Sequence, residues 1–291
     1  MNEWKIQEIG PQVHVINFTG IKAGWNQKVL LTGDRHHDNR LSVHKLEKEH
    51  LDQAKKINAP VIDLGDLFCL MQGKWDPRRS QKGMRPEHQD DDYLNRVMDT
   101  TEEFYAPYAD IFAIMGYGNH EMAHIKHHNF DATKDLARRL KSHATREDTA
   151  NVGGYGGWVM FRFDGGKRQA MRLKYHHGHG GGGPVTKGII QTNRRAVYLP
   201  DADIVVSAHI HESWQLALKR DRLSRKGTQY HDIQWHISVP TYKEEYGPGG
   251  EGFHIETGRP PKPLGCVWLD FKYNPKNRSR RIKMSVEMDS T

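Results

Sequence analysis

A chain of 291 residues and 33.6 kDa is long enough for one large domain or two small ones around a sizeable core. Only 36% of its residues are hydrophobic and its mean hydropathy is −0.81; no apolar run approaches the ~20 residues that a bilayer-crossing helix needs, which excludes a span of that kind. A net charge of +7 and a pI near 9.2 favour an anionic partner, nucleic acid first.

The N-terminal stretch Met1-Asn2-Glu3-Trp4-Lys5 lacks the charged and apolar regions of a signal peptide. Cys69 and Cys266 stand far apart with no CxxC spacing, so we expect two buried thiols in a reducing cytoplasm. Residues 13–18 predict an outer strand, and residues 28–32 a second strand that ends at Gly33-Asp34-Arg35-His36. Residues 41–58 carry helical periodicity, with Leu41, Leu46, Leu51, Ala54 and Ile57 roughly on one face, until Pro60 stops the helix. Residues 61–64 are the next strand, ending at Gly65-Asp66; strand, helix, strand implies a parallel pair with a right-handed crossover. Residues 71–92 read as a long polar loop, and a helix follows over 93–105.

The apolar run Ile111-Phe112-Ala113-Ile114-Met115 is a buried strand leading into Gly116-Tyr117-Gly118-Asn119-His120-Glu121, where two glycines let the backbone turn sharply. A helix over 131–140 comes next. Residues 158–163 and 169–175 form a hairpin whose second strand runs into His176-His177-Gly178-His179 and a run of glycines. Residues 186–199 predict a helix. Residues 202–207 are a buried strand ending at Ala208-His209-Ile210-His211, and strands over 214–218, 233–239, 267–271 and 282–286 complete the chain. No repeat and no linker rich in Pro, Gly or Ser divides it, so a single domain over 1–291 is expected.

Five strands therefore end in metal-ligating chemistry: Asp34-x-His36, Gly65-Asp66, Gly118-Asn119-His120-Glu121, His177-Gly178 and His209-x-His211. Nineteen histidines, many of them clustered, point the same way. Open α/β sheets place their sites at the carboxyl ends of strands. In this order the blocks resemble the calcineurin-like metallophosphoesterase superfamily, which carries DxH, GDxx, GNH[D/E], a later His-Gly and GHxH. The resemblance covers about residues 28–212, and within the superfamily it leans toward the DNA-repair exonucleases and the phage phosphoesterases. It implies an α/β fold, a four-layer α-β-β-α sandwich of two mixed sheets flanked by helices, with the strands of 213–291 completing the second sheet.

The same resemblance implies two divalent cations, Mn²⁺ first, with Fe, Zn²⁺ or Mg²⁺ as alternatives. Such pairs sit ~3.5–4 Å apart and clamp the attacking and leaving oxygens of a phosphoryl group. Carried over residue by residue, Asp66 bridges the two ions. Asp34, His36 and His211 hold one; Asn119, His177 and His209 hold the other. A hydroxide between the metals would attack, and His120, not a ligand, would protonate the leaving oxygen. Among His176, His177 and His179, we take His177 because Gly178 follows it, with His179 in reserve. Ala208 stands where the family has glycine, and altered local geometry is expected there.

Arg35 and Arg78 are candidate substrate contacts; the plainer reading of Arg35 is a residue facing solvent or paired with a carboxylate. His37, His44 and His50 read as surface residues, and Glu121 as a residue orienting a ligand histidine. Lys219, Arg220, Arg222, Arg225 and Lys226 read equally as a solvated hairpin or as a basic tip for a nucleic-acid backbone, and Arg278, Arg280 and Arg281 carry the same two readings. The function implied is hydrolysis of phosphodiesters, foremost in nucleic acid. The alternatives are a phosphoesterase of cyclic nucleotides or phosphoproteins, and a non-catalytic binding protein on the same scaffold.

Overall fold

A computed structural model describes residues 3–70, 83–89, 91–165, 169–183, 185–277 and 281–291. Arg78, Arg278, Arg280 and most of the 71–92 loop lie outside the described residues. Three strands open the chain, β1 (Glu3–Gly10), β2 (Val13–Thr19) and β3 (Asn26–Thr32), and α1 (His44–Lys56) leads into β4 (Val61–Asp63). α2 (Tyr93–Tyr105) precedes β5 (Phe112–Met115), and α3 (Asn119–His128) and α4 (Ala132–His143) follow it. Next come β6 (Asn151–Val152), the hairpin of β7 (Gly156–Phe163) and β8 (Gln169–His176), α5 (Ile190–Tyr198) and β9 (Ile204–Ser207). The last elements are β10 (Trp214–Leu223), β11 (Gln229–Ser238), the one-turn α6 (Phe253–Glu256), β12 (Gly265–Tyr273) and β13 (Ile282–Ser290).

Two mixed sheets result, one in the order β1-β2-β7-β8-β9-β11-β10 and the other β13-β12-β3-β4-β5-β6. Strand alternation decides what faces what. In β7, Val159, Phe161 and Phe163 point inward while Trp158, Met160 and Arg162 point out. The inward sets of the two sheets pack on each other: Phe18, Phe161, Leu173 and Val206 from one meet Val29, Leu31, Val267 and Phe271 from the other. The shorter strands of the second sheet are apolar on both faces, because their reverse side is also covered. Leu30, Val61, Phe112 and Trp268 there meet Leu51 and Ala54 of α1, Val97 and Met98 of α2, and Leu136 and Leu140 of α4. On the far side of the first sheet lies α5, where Gln234 Nε2 donates to Leu199 O at 2.8 Å just past the helix end. This is the expected α/β architecture of two mixed sheets flanked by helices.

Two expectations need correction. The four C-terminal strands do not all complete one sheet: β10 and β11 extend the seven-stranded sheet, whereas β12 and β13 pair onto β3 in the six-stranded one. Among the three histidines read as surface residues, His37 and His50 are buried, at 2% and 5% exposure. His37 Nδ1 meets Glu47 Oε2 at 3.1 Å and its ring stacks on His44; His50 Nδ1 meets Tyr242 Oη at 2.9 Å. A helical wheel of α1 hides this, because its buried face carries Glu47 and His50 beside Leu51 and Ala54. Both cysteines are buried and unbridged. Among the described residues no helix is long and apolar enough to cross a membrane.

Candidate metal centre

β3, β4 and β5 are parallel neighbours in one sheet, and β8 and β9 are parallel neighbours in the other. Their five carboxyl ends open onto one cavity of about 910 Å³, whose wall includes His36, Asp66, Asn119, His120, His209 and His211. Asp34, His36 and His211 bring ligand atoms within 4.8 Å of one another, and so do Asp66, His177 and His209. Those are the two ligand groups the motif order implies, less Asn119, whose Oδ1 lies 2.7 Å from His209 Nδ1 and 3.3 Å from His177 Nε2. The two groups touch: His177 Nε2 is 3.2 Å from Asp66 Oδ2 and 3.9 Å from Asp34 Oδ1, and His211 Nε2 is 3.5 Å from the same Asp34 oxygen.

The backbone is bent to achieve this. Asp34, His36, Asp66, His209 and His211 all have φ between 46° and 74°, the left-handed region that ordinary side chains avoid. Strain of this kind costs ~1–3 kcal/mol per residue and gathers where surrounding structure enforces a site. Ala208 is not one of these residues; the left-handed turns fall on His209 and His211 instead, so alanine at 208 carries no such strain. Close approach replaces side chains elsewhere. A Cβ on Gly65 would lie 2.2 Å from the Tyr117 carbonyl carbon, and one on Gly118 would lie 2.0 Å from Asp66 Oδ1.

Hydrogen bonds set the direction of each imidazole. His177 Nδ1 donates to Leu64 O at 3.0 Å, which turns Nε2 toward Asp66 and Asn119. His120 Nδ1 donates to Cys69 O at 2.8 Å, leaving Nε2 on the cavity side, 4.0 Å from Asp66 Oδ2. His36 Nδ1 meets Cys69 Sγ at 3.2 Å, so its Nε2 faces His211 Nε2 at 3.3 Å. His176 takes a different role: its Nδ1 accepts from Gly178 N at 3.0 Å, and its ring packs on Tyr155. The geometry thus brings His177, not His176, to the other candidate ligands.

Glu121 does not orient a histidine. It is buried and accepts from three backbone amides, those of Asp66 (3.0 Å), Phe68 (2.9 Å) and Gly118 (2.8 Å). Its sequence position explains this: it is the third residue of α3 and reaches back to the amide that precedes the helix, as in half a capping box. Burial, then the neighbouring Asp66 charge, pushes its pKa up to about 8. The N-terminus of the same helix aims the His120 amide at Asp66 Oδ1, 2.9 Å away.

Arg35 is not a substrate contact. It is fully buried, donating from Nε to Asp63 Oδ2 at 2.7 Å, from Nη1 to Glu47 Oε1 at 2.5 Å and from Nη2 to Thr32 Oγ1 at 2.8 Å. A guanidinium spanning two buried carboxylates locks the turn after β3 onto β4 and α1. Asp63 in turn accepts from Gly65 N at 2.9 Å, so this network underlies the Asp34 and Asp66 turns together. The buried Thr241 Oγ1 donates to Asp34 O at 2.7 Å, a brace no motif announces.

The donor set suits a divalent pair. Among the described residues Asp34 Oδ1 and His211 Nδ1 are buried without a hydrogen-bond partner. Burial disfavours charge on His36, and the nearby His120 reinforces it, so its pKa falls well below the usual imidazole value and the ring is a neutral donor. Burial opposes charge on His177 too, but Asp66, then Asp34 and Glu121, overcome it and push its pKa up to about 10. Asp66 is correspondingly held well below the usual carboxylate range against its burial, by His177 and His120. Mixed imidazole, carboxylate and amide oxygen donors fit Mn²⁺, Fe or Zn²⁺.

The other cavity wall comes from residues 243–259, which sequence reading left unassigned. Lys243 Nζ pairs with Glu245 Oε1 at 2.6 Å, and His254 Nδ1 lies 3.2 Å from Glu245 Oε2. Burial opposes the Glu245 charge, yet His254 and Lys243 bring its pKa down to about 2. Paired charges this deep in a wall are the missed signal, and only the folded chain brings them beside His211. The basic hairpin, by contrast, points away. Trp214 pairs with Ser238 and Ser238 with Ser207, so the site lies at that end of β10 and β11. β10 is ten residues long, which puts the tip at 224–228 roughly 30 Å from the site.

No family model matches the chain, and no curated protein sequence matches it. Among solved structures, it is similar to a predicted phosphoesterase from Streptococcus pneumoniae TIGR4 at 11% identity, over 91% of this chain and 100% of that one, with a TM-score of 0.31. It is similar to GAP50, the anchor in the inner membrane complex of Plasmodium, at 11% identity over 90% and 84%, with a TM-score of 0.41. It is also similar to Vps29 of Entamoeba histolytica, crystallised with Zn²⁺, at 12% identity over 90% and 98%, with a TM-score of 0.30. At these scores the likenesses add no weight to the geometry.

Proposed function

We propose that this protein is a divalent-metal-dependent phosphoesterase that hydrolyses phosphodiesters, of the calcineurin-like kind its five motifs resemble. The observation that carries the reading is the gathering of Asp34, His36, Asp66, Asn119, His177, His209 and His211 from five strand ends, all but the buried Asp34 and His177 on the wall of one open cavity. When bound there, a pair of cations supplies a polarised phosphoryl group and a water acidic enough to attack near neutral pH. Asp34, His36 and His211 would hold one cation, Asn119, His177 and His209 the other, with Asp66 shared. His120, held through Nδ1 by Cys69 O, presents Nε2 to the cavity and gives its proton to the leaving oxygen. Glu121 and Arg35 keep the Asp34 and Asp66 turns in place and do not touch substrate.

The net charge of +7 supports nucleic acid as substrate. The cavity itself favours a compact phosphodiester, a nucleotide or the end of a strand. Its wall mixes Arg40, Lys243 and Arg259 with Glu245, Glu251 and Glu256, and the basic hairpin tip lies at the far end of its sheet. A duplex-binding channel would be basic throughout.

The test is a panel with added Mn²⁺: single- and double-stranded DNA, RNA, cyclic nucleotides and an aryl phosphodiester. Turnover of the aryl phosphodiester and of at least one nucleotide substrate is expected. Tight metal binding with no turnover on any of them would make the chain a binding protein and reject the hydrolase.

A further inference from the structure

One aromatic side chain on the cavity wall has no partner in the core. Phe253 is 52% exposed although it lines the cavity, and the Arg259 guanidinium lies over its ring at 4.8 Å. Its position relative to the metal centre is fixed through its neighbour. The Phe253 and His254 rings are 5.9 Å apart, and the His254 and His211 rings 5.2 Å apart. His254 is itself tied down, its amide donating to Glu245 Oε2 at 2.6 Å, while the Arg259 amide donates to His254 O at 2.7 Å. Tyr246 Oη donates to Arg259 O. Gly181 lies beside the Arg259 guanidinium, where a Cβ would meet Nη2 at 3.6 Å, and a Cβ on Gly180 would face open space. A flat apolar face with a cation on it thus lines the same cavity as the candidate metal ligand His211, joined to it through the His254 ring. Glu251 and Glu256 nearby suit ribose hydroxyls and exocyclic amines better than further phosphates.

We propose that Phe253 and Arg259 form a stacking subsite for the nucleobase of a nucleoside phosphate; the placement of its phosphate end at the metal centre rests on the phosphoesterase reading. Aromatic stacking accepts any base, so the subsite selects nucleosides over alkyl esters without selecting a sequence.

The test compares binding of adenosine 5′-monophosphate and ribose 5-phosphate to the full chain with Mn²⁺, by isothermal titration calorimetry. The wild-type chain is expected to prefer the nucleotide by about tenfold, or ~1.4 kcal/mol, which lies within what one base–aromatic stack contributes. Phe253→Ala abolishes the preference, Phe253→Trp keeps it, and Arg259→Ala weakens it; circular dichroism checks that each variant folds. Equal binding of the two probes by the wild-type chain, binding of neither, or a preference that survives Phe253→Ala would overturn the subsite. A base preference without hydrolysis of any phosphoester supports the subsite and rejects the hydrolase. Hydrolysis of an aryl phosphodiester without a base preference does the reverse.

Discussion

Gly118→Ala probes the packing that aims Asp66. A Cβ at residue 118 would sit 2.0 Å from Asp66 Oδ1, 2.4 Å from its amide nitrogen and 2.5 Å from Cγ. Non-bonded atoms settle near ~3.5 Å, so the Asp66 side chain must retreat by on the order of 1 Å. It is pinned on both sides: its amide donates to Glu121 at 3.0 Å, and its Oδ1 accepts from the His120 amide at 2.9 Å. The retreat breaks at least one of these bonds, and a buried group left unpaired costs ~1–3 kcal/mol. Overpacking adds ~1–3 kcal/mol, so urea unfolding is expected to register a loss of about 2–6 kcal/mol. Metal coordination tolerates only ~0.2 Å, so Mn²⁺ affinity in calorimetry should fall by roughly 100-fold or more. Gly10→Ala is the control, since its nearest contact would be an ordinary 4.0 Å. A Gly118→Ala protein with wild-type stability and wild-type Mn²⁺ affinity would refute this reasoning.

Arg35→Ala leaves Glu47 and Asp63 as buried charges without their cation, and should destabilise the fold by ~3–5 kcal/mol in urea; a loss below ~1 kcal/mol would return Arg35 to a surface or substrate role. His120→Ala is expected to abolish phosphodiester turnover while metal content by mass spectrometry stays near wild type, and joint loss of metal would make His120 a ligand instead. In metal-free protein the His177 pKa is raised from 6.5 to about 10, against its burial, by Asp66, Asp34 and Glu121. A raised pKa contributes stability that is complete below pH 6.5 and lost as pH climbs toward about 10. Asp66→Asn should remove much of that decline, read as the urea midpoint across the same pH range; an unchanged slope would separate His177 from Asp66.

Much of the architecture was legible because strand ends and helix periods repeat local rules. Residues 28–32, 61–64 and 111–115 read as strands from their apolar runs, and the folded strands β3, β4 and β5 coincide with them within two residues. The gathering of the five motif blocks was legible for the same reason: each block follows a strand closely, and parallel neighbours bring such ends together. What stayed hidden depends on contacts distant in sequence. Arg35 looks identical whether it faces a phosphate or bridges Asp63 and Glu47, and only the packing of α1 decides between them. Glu121 is the last residue of a motif, and its three amide partners lie in two different loops. Strands β10 to β13 read correctly as strands, yet nothing local says that Trp214 faces Ser238 in one sheet while Val267 faces Leu31 in the other. Residues 243–259 have no periodicity, and their place on the cavity wall appears only once Glu245 gathers Lys243 and His254.

The most direct test of the metal centre is electron paramagnetic resonance of the protein titrated with Mn²⁺. Two ions ~3.5–4 Å apart and sharing Asp66 give an exchange-coupled spectrum at two equivalents, and Asp66→Ala abolishes the coupling. A six-line signal from a single isolated Mn²⁺ at saturation, or no bound Mn²⁺, would contradict a paired site.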